Sequence, residues 1–126
     1  MTVNKEHLEF HPVDLDSEWE TPAGYPDGIK QKILAGSLDE EAERGSRTRL
    51  LRFDPGTWTT EPFVHTYWEE VYLVSGDLTV GNDADGNGGE RFDPYTYACR
   101  PPGAAHGPFR SDGGCLLLEI HYFESN

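Results

Sequence analysis

Three residues of this chain, His65, Glu69 and His106, carry donor atoms suited to a divalent metal ion: two imidazole nitrogens and one carboxylate. Such a set leaves coordination positions open, and open positions mean exchangeable ligands or reactivity. His65 follows Pro62-Phe63-Val64 and is separated from Glu69 by Thr66-Tyr67-Trp68, a spacing that lets the two side chains converge from adjoining strands or a strand-turn junction. His106 follows Pro101-Pro102-Gly103-Ala104-Ala105, where prolines fix φ and a glycine permits a tight bend, so this imidazole leaves a rigid turn. Strand neighbours point to opposite faces, so only one of Glu69 and Glu70 faces inwards. Glu69 is the primary candidate, and a bulge would bring Glu70 into its place.

The elements that must position these residues read as strands. From Cys115 to Phe123 the chain alternates with period two: Leu116, Leu118, Ile120 and Tyr122 share one face, and Cys115, Leu117, Glu119, His121 and Phe123 the other. Shorter runs of the same kind occupy residues 29–34, 48–53, 70–74 and 78–80, each closed by Gly, Pro or Asp. The pattern predicts an all-β fold, a sandwich or barrel. Residues 37–44 read as a short helical excursion, with Ser37 and Glu40 at capping-box spacing and Gly45 as the stop. Residues 81–89 read as a hairpin loop, and their Asp83-x-Asp85-Gly86 fragment lacks the terminal glutamate of a calcium loop.

A chain of 126 residues has the size of one domain, here divided into N-terminal strands with the excursion (1–45) and a barrel core (46–126). With 23 acidic residues against 10 Lys and Arg, the formal charge of −13 would repel a polyphosphate backbone or an anionic membrane, so neither is expected as a partner. No apolar run reaches the roughly 20 residues of a spanning helix, and residues 1–10 lack the apolar core of a secretory signal. The expectation is a cytoplasmic protein. Cys99 and Cys115 sit in apolar, strand-like contexts and read as small buried hydrophobes instead of a disulfide.

The segment 56–110 resembles the two motifs of the cupins. In the first, Gly56 opens, Phe63 stands at the first histidine, His65 at the second, Glu69 at the glutamate and Gly76 at the closing glycine. In the second, Tyr95 stands at the opening glycine, Pro101 and Gly103 match, His106 is the histidine and Arg110 replaces the asparagine. With Trp19 upstream and residues 113–118 downstream, the chain is most similar to the branch that holds the cupin domain of zinc-binding anti-sigma factors and acetylacetone-type dioxygenases. The resemblance implies a single-domain cupin, a double-stranded β-helix or jelly-roll barrel, and a homodimer. Because Phe63 cannot ligate, the usual three-histidine, one-glutamate set shrinks to His65, Glu69 and His106, which resembles the facial triad of non-haem iron(II) oxygenases. Iron(II) is therefore the expected ion; zinc, manganese or nickel would fit the same residues.

The expected activity is dioxygenation of a small oxygenated compound, a β-dicarbonyl or a hydroxy-aromatic ketone. One alternative is metal-assisted isomerisation or lysis of a carbonyl compound, with His121 or Tyr67 as general base. Another is a non-catalytic zinc-holding module for ligand sensing or protein binding. His121 shares its strand face with Glu119 and reads either as such a base or as an exposed histidine. Phe63, Trp68, Tyr72, Tyr97 and Phe109 are expected to wall the substrate pocket, with Arg100 placed to neutralise a carboxylate or enolate.

Overall fold

The computed structural model describes residues 4–124, which form nine strands and, among the described residues, no helix. No helix is therefore long and apolar enough to cross a membrane. The strands are β1 (Ile29–Asp39), β2 (Arg44–Phe53), β3 (Thr57–Trp58), β4 (Trp68–Gly76), β5 (Leu78–Val80), β6 (Glu90–Phe92), β7 (Tyr97–Arg100), β8 (Phe109–Ser111) and β9 (Cys115–Tyr122). They pair in two antiparallel sheets, one ordered β1-β2-β9-β4-β7 and the other β3-β8-β5-β6.

Period-two patterning decides what each strand buries. On β9, Cys115, Leu117, Glu119 and His121 are buried while Leu116, Leu118, Ile120 and Tyr122 are only partly covered, as the alternation predicts. The core joins both sheets: Leu51, Phe53, Val71, Leu73, Cys115 and Leu117 from the larger, Leu78 from the smaller, with Phe92 and Phe109 packed against them. Each such large side chain contributes roughly 1.5–3 kcal/mol on burial. Gly76 ends β4 with φ 85°, and a Cβ there would stand 2.0 Å from the Gly114 carbonyl oxygen, so only glycine lets β4 and β9 meet at that end.

The predicted helix at residues 37–44 is a correction. β1 continues through Ser37 and Leu38 to Asp39, pairs Ser37 with Ser46 and Asp39 with Arg44, and turns back at residues 40–43. Two helical turns cannot repay their nucleation cost, whereas extending a hairpin adds ladder bonds at once. Asp39 Oδ1 accepts from Ala42 N in the turn, and Gly36 packs against the Ser46 carbonyl where any Cβ would clash. The cysteines also depart from expectation: Cys115 is buried, with burial pushing its thiol up to about 11, but Cys99 is exposed on β7, and both are free.

Residues 4–28 contain one β-bridge, Glu20 to Gln31, and no named strand. They are tied to β1 and β2 through Asn4 on the Ser37 carbonyl, Lys5 on Thr48, and Trp19 under the Arg52 guanidinium at 4.3 Å. The 81–89 segment is the expected hairpin loop between β5 and β6; Asp83 Oδ1 accepts from the backbone of Asp85 and Asn87 and so serves its own turn.

Candidate metal centre

Strand register builds one side of the site. Glu69 on β4 lies directly opposite His121 on β9 and directly opposite Arg100 on β7, and His121 lies opposite Arg47 on β2. The row Arg47, His121, Glu69, Arg100 therefore crosses four adjacent strands on the inward face. It is hydrogen-bonded along its length: Arg47 Nε donates to His121 Nδ1 (3.1 Å), His121 Nε2 lies 2.8 Å from Glu69 Oε2, and Arg100 NH1 donates to Glu69 Oε1 (2.9 Å). A guanidinium only donates, so Nδ1 of His121 is the acceptor and Nε2 carries the proton that goes to Glu69. The β4–β9 bulge falls between Leu73 and Ser75, beyond the two glutamates, and leaves their register intact. Glu69 is 3% exposed, whereas Glu70 faces the other way and accepts from Tyr97 and Tyr122. The alternative carboxylate thus stands on the outer face.

Two loops deliver the histidines. Phe63 and His106 form an isolated antiparallel bridge, N to O at 2.7 and 2.9 Å, and Gly103 N donates to the His65 carbonyl at 2.9 Å. These bonds clamp the loop before β4 against the Pro-Gly turn before β8. His65 Nε2 then stands 3.7 Å from Glu69 Oε2, and His106 Nε2 stands 3.3 Å from Glu69 Oε1. His106 Nδ1 lies 3.2 Å from the Ala104 carbonyl, which can only accept; the ring therefore donates from Nδ1 and turns the Nε2 lone pair towards the carboxylate. Burial pushes the His65 imidazole down to about 4 and lowers His106 too, in each case against the raising field of Glu69. At neutral pH the His106 lone pair and a carboxylate oxygen face each other, a repulsive arrangement that a shared cation relieves.

The donor set fits such an ion. Donors bound at about 2.0–2.2 Å to one ion stand roughly 3–3.5 Å apart, and one atom from each of His65, Glu69 and His106 lies within 4.8 Å of the others. A second cluster, Glu69, Glu119 and His121, has comparable spacing but is already satisfied internally. Arg49, with its side chain 3% exposed, donates Nε to Glu119 Oε1 at 2.8 Å, NH1 to Gln31 at 2.8 Å and NH2 to the Tyr25 hydroxyl at 3.2 Å. Burial pushes the Glu119 carboxyl up, but Arg49 and then His121 overcome it and hold it below the usual carboxylate range. That carboxylate is spent on its arginine.

The remaining expected pocket residues divide by strand parity. Phe63, Arg100 and Phe109 line the cavity with Glu69 and His106, and Phe63 stacks on Tyr25 at 4.9 Å to wall the site. Trp68 and Tyr72 do not line it, because they stand one and three residues from Glu69 and so face outwards; Trp68 stacks on Tyr122 there. Tyr97, opposite Tyr72, is likewise exposed. Tyr67 is buried between His65 (4.6 Å) and His121 (4.7 Å), and burial raises its phenol, which stays protonated at neutral pH. His121 is fully buried, which removes the exposed reading. Arg47, Arg49 and Tyr25 escaped the sequence reading, although Arg47-x-Arg49 beside Leu50-Leu51 carries two charges at period two in an apolar strand.

The depressed imidazole makes a prediction for metal-free protein. Between pH 6.5 and about 4 the unfolded chain binds a proton at His65 that the folded site refuses, so stability falls as pH falls through that window. The loss reaches roughly 3 kcal/mol at about 1.4 kcal/mol per pH unit. Urea unfolding of chelator-treated protein at pH 7 and 4.5 should show it, with a smaller drop in His65→Gln; equal drops in the two proteins would contradict it.

A family model described as a ChrR cupin-like domain matches residues 13–122. No curated protein matches the chain. Among solved structures, the chain is similar to an RmlC-like cupin from Shewanella frigidimarina (19% identity, 98% of this chain and 96% of that one, TM-score 0.65). It is similar to a cupin-superfamily sugar phosphate isomerase from Silicibacter pomeroyi (22%, 90% and 76%, 0.62). It also resembles an acetylacetone dioxygenase from Acinetobacter johnsonii (21%, 98% and 83%, 0.59). At these identities the likeness is one of fold, the two-sheet jelly roll.

Proposed function

The chain belongs to the ChrR cupin-like domain family, and from that premise we propose that it is a metal-dependent cupin enzyme, an iron(II) dioxygenase acting on a β-dicarbonyl or hydroxy-aromatic ketone. The observation that carries the metal is the 3.3 Å approach of the His106 Nε2 lone pair to the Glu69 carboxylate in a buried site. His65, Glu69 and His106 hold the ion. When bound, iron(II) there supplies Lewis acidity and redox chemistry, and zinc, manganese or nickel would supply the first alone.

The protein's own groups do the rest. Arg100 and His121 donate one hydrogen bond to each Glu69 oxygen and fix the carboxylate plane. Phe63, Tyr25 and Phe109 exclude water from the ligand face. Arg100 stands where an enolate or carboxylate oxygen would meet a cation. Isomerisation or lysis needs a free base, and none of the candidates is free: both His121 nitrogens are engaged, Glu119 is held by Arg49, and the Tyr67 phenol keeps its proton. That favours oxygen as co-substrate, in keeping with the acetylacetone dioxygenase among the similar folds. The reading also includes a cytoplasmic homodimer, for which exposed Tyr72, Tyr95 and Tyr97 offer a contact surface.

The test is oxygen uptake by iron(II)-loaded protein over a panel of β-dicarbonyls and hydroxy-aromatic ketones. Uptake matched to substrate loss and abolished in Glu69→Gln is expected. Product formed without oxygen uptake would replace the proposal with the isomerase or lyase reading. Tight zinc binding with no turnover on any metal would replace it with the ligand-sensing or protein-binding module.

A further inference from the structure

The cavity at Glu69 and His106 is about 30 Å³, room for a water or two at roughly 15 Å³ each and not for a carbon skeleton. A second cavity of about 190 Å³ adjoins it. Val71, Leu78, Arg100 and Leu117 line both, so the two share a wall. The second cavity lies where the sheets do not close: β7 is the outer strand of one sheet and β6 the outer strand of the other. Val80 and Phe92 flank it from the smaller sheet and Ala98 from the larger, and exposed Tyr97 stands at its mouth. Ala98 pairs with buried Val71 and faces inwards with it.

Its chemistry is one-sided. Apart from Thr96, Tyr97 and Arg100, the lining is aliphatic or Phe. A lined apolar cavity of about 150 Å³ suffices to bind benzene. Arg100 makes one hydrogen bond among the described residues, NH1 to Glu69, and its guanidinium lies 5.7 Å from the Phe109 ring, so its remaining donors face the boundary of the two cavities.

We propose that this lateral cavity holds an aryl-sized apolar substituent of the substrate while the oxygen-bearing end lies at the triad against Arg100. The inference rests on the reading of His65, Glu69 and His106 as a metal centre, and it narrows the substrate class to β-dicarbonyls bearing an aryl group in place of a methyl. The protein should therefore prefer 1-phenylbutane-1,3-dione to pentane-2,4-dione.

Calorimetric titration of the zinc-loaded full chain, which binds without turnover, tests this. The phenyl dione should bind about 30-fold more tightly, the gain expected from burying a ring. Filling the cavity from either flank, by Ala98→Phe or Val80→Phe, should bring the ratio of the two affinities to within about threefold of unity. Equal affinities in the parent, or a ratio that survives both filled variants, would overturn the lateral site with the metal centre intact. Failure of both diones to bind would overturn the metal-centre reading and the proposal with it.

Discussion

Arg49→Met should cost about 3–5 kcal/mol of folding stability, a drop in melting temperature on the order of 10–20 °C for a chain of this size. The guanidinium is buried with Glu119, donates Nε to its Oε1 with NH2 also 2.8 Å from that oxygen, and satisfies Gln31 and the Tyr25 hydroxyl, over whose ring it lies at 5.6 Å. Methionine fills much of the same volume, so the loss comes from charge: among the described residues Glu119 keeps only His121 Nε2 nearby, 3.5 Å away and with its proton already given to Glu69. Desolvation then has no adequate opponent and the Glu119 carboxyl must rise above its unfolded value. A raised folded pKa favours the folded state below the unfolded pKa and withdraws that support as pH rises, so the variant should weaken further from pH 5 to pH 8. Arg49→Met combined with Glu119→Leu should recover most of the loss, because removing both charges removes the desolvation cost. Urea unfolding of the parent and the two variants settles it; a loss below about 1 kcal/mol in the single variant would mean that Glu119 is not carried as a buried charge.

The sequence legibility of this fold follows the range of its interactions. β9 is readable because Cys115 to Tyr122 alternates without interruption, and its alternation already places Glu119 and His121 inwards. Glu69 was separable from Glu70 by its distance from Gly76, and the register agrees. The same parity puts Trp68 and Tyr72 outside, a signal present in the sequence but overridden by the expectation of an aromatic wall. Residues 37–44 mislead because a local capping pattern competes with a hairpin whose bonds are visible only once β1 and β2 are paired. Tyr95 stands where the second motif has glycine and adopts φ 75°, so the backbone keeps the glycine conformation at a strain of about 1 kcal/mol or more. The row from Arg47 to Arg100 was beyond reach, since it exists only through the side-by-side order β2, β9, β4, β7, whose members lie up to 74 residues apart in sequence.

That row and the two loops converge on the site where we propose that His65, Glu69 and His106 share a cation. Truncating His106 removes the lone pair that faces Glu69 Oε1, while the Phe63 bridge, which uses only backbone atoms, can remain. If a structural ion contributes roughly 10–16 kcal/mol through four ligands, one ligand is worth about 3 kcal/mol, and His106→Ala should lose on the order of 100-fold in metal affinity or more. The direct measurement is elemental analysis of anaerobically purified parent and His106→Ala, each also loaded with iron(II) or zinc and desalted. The parent should carry about one divalent ion per chain and the variant less than about a tenth of that. Equal metal in both, or a parent that retains none after loading, would contradict it.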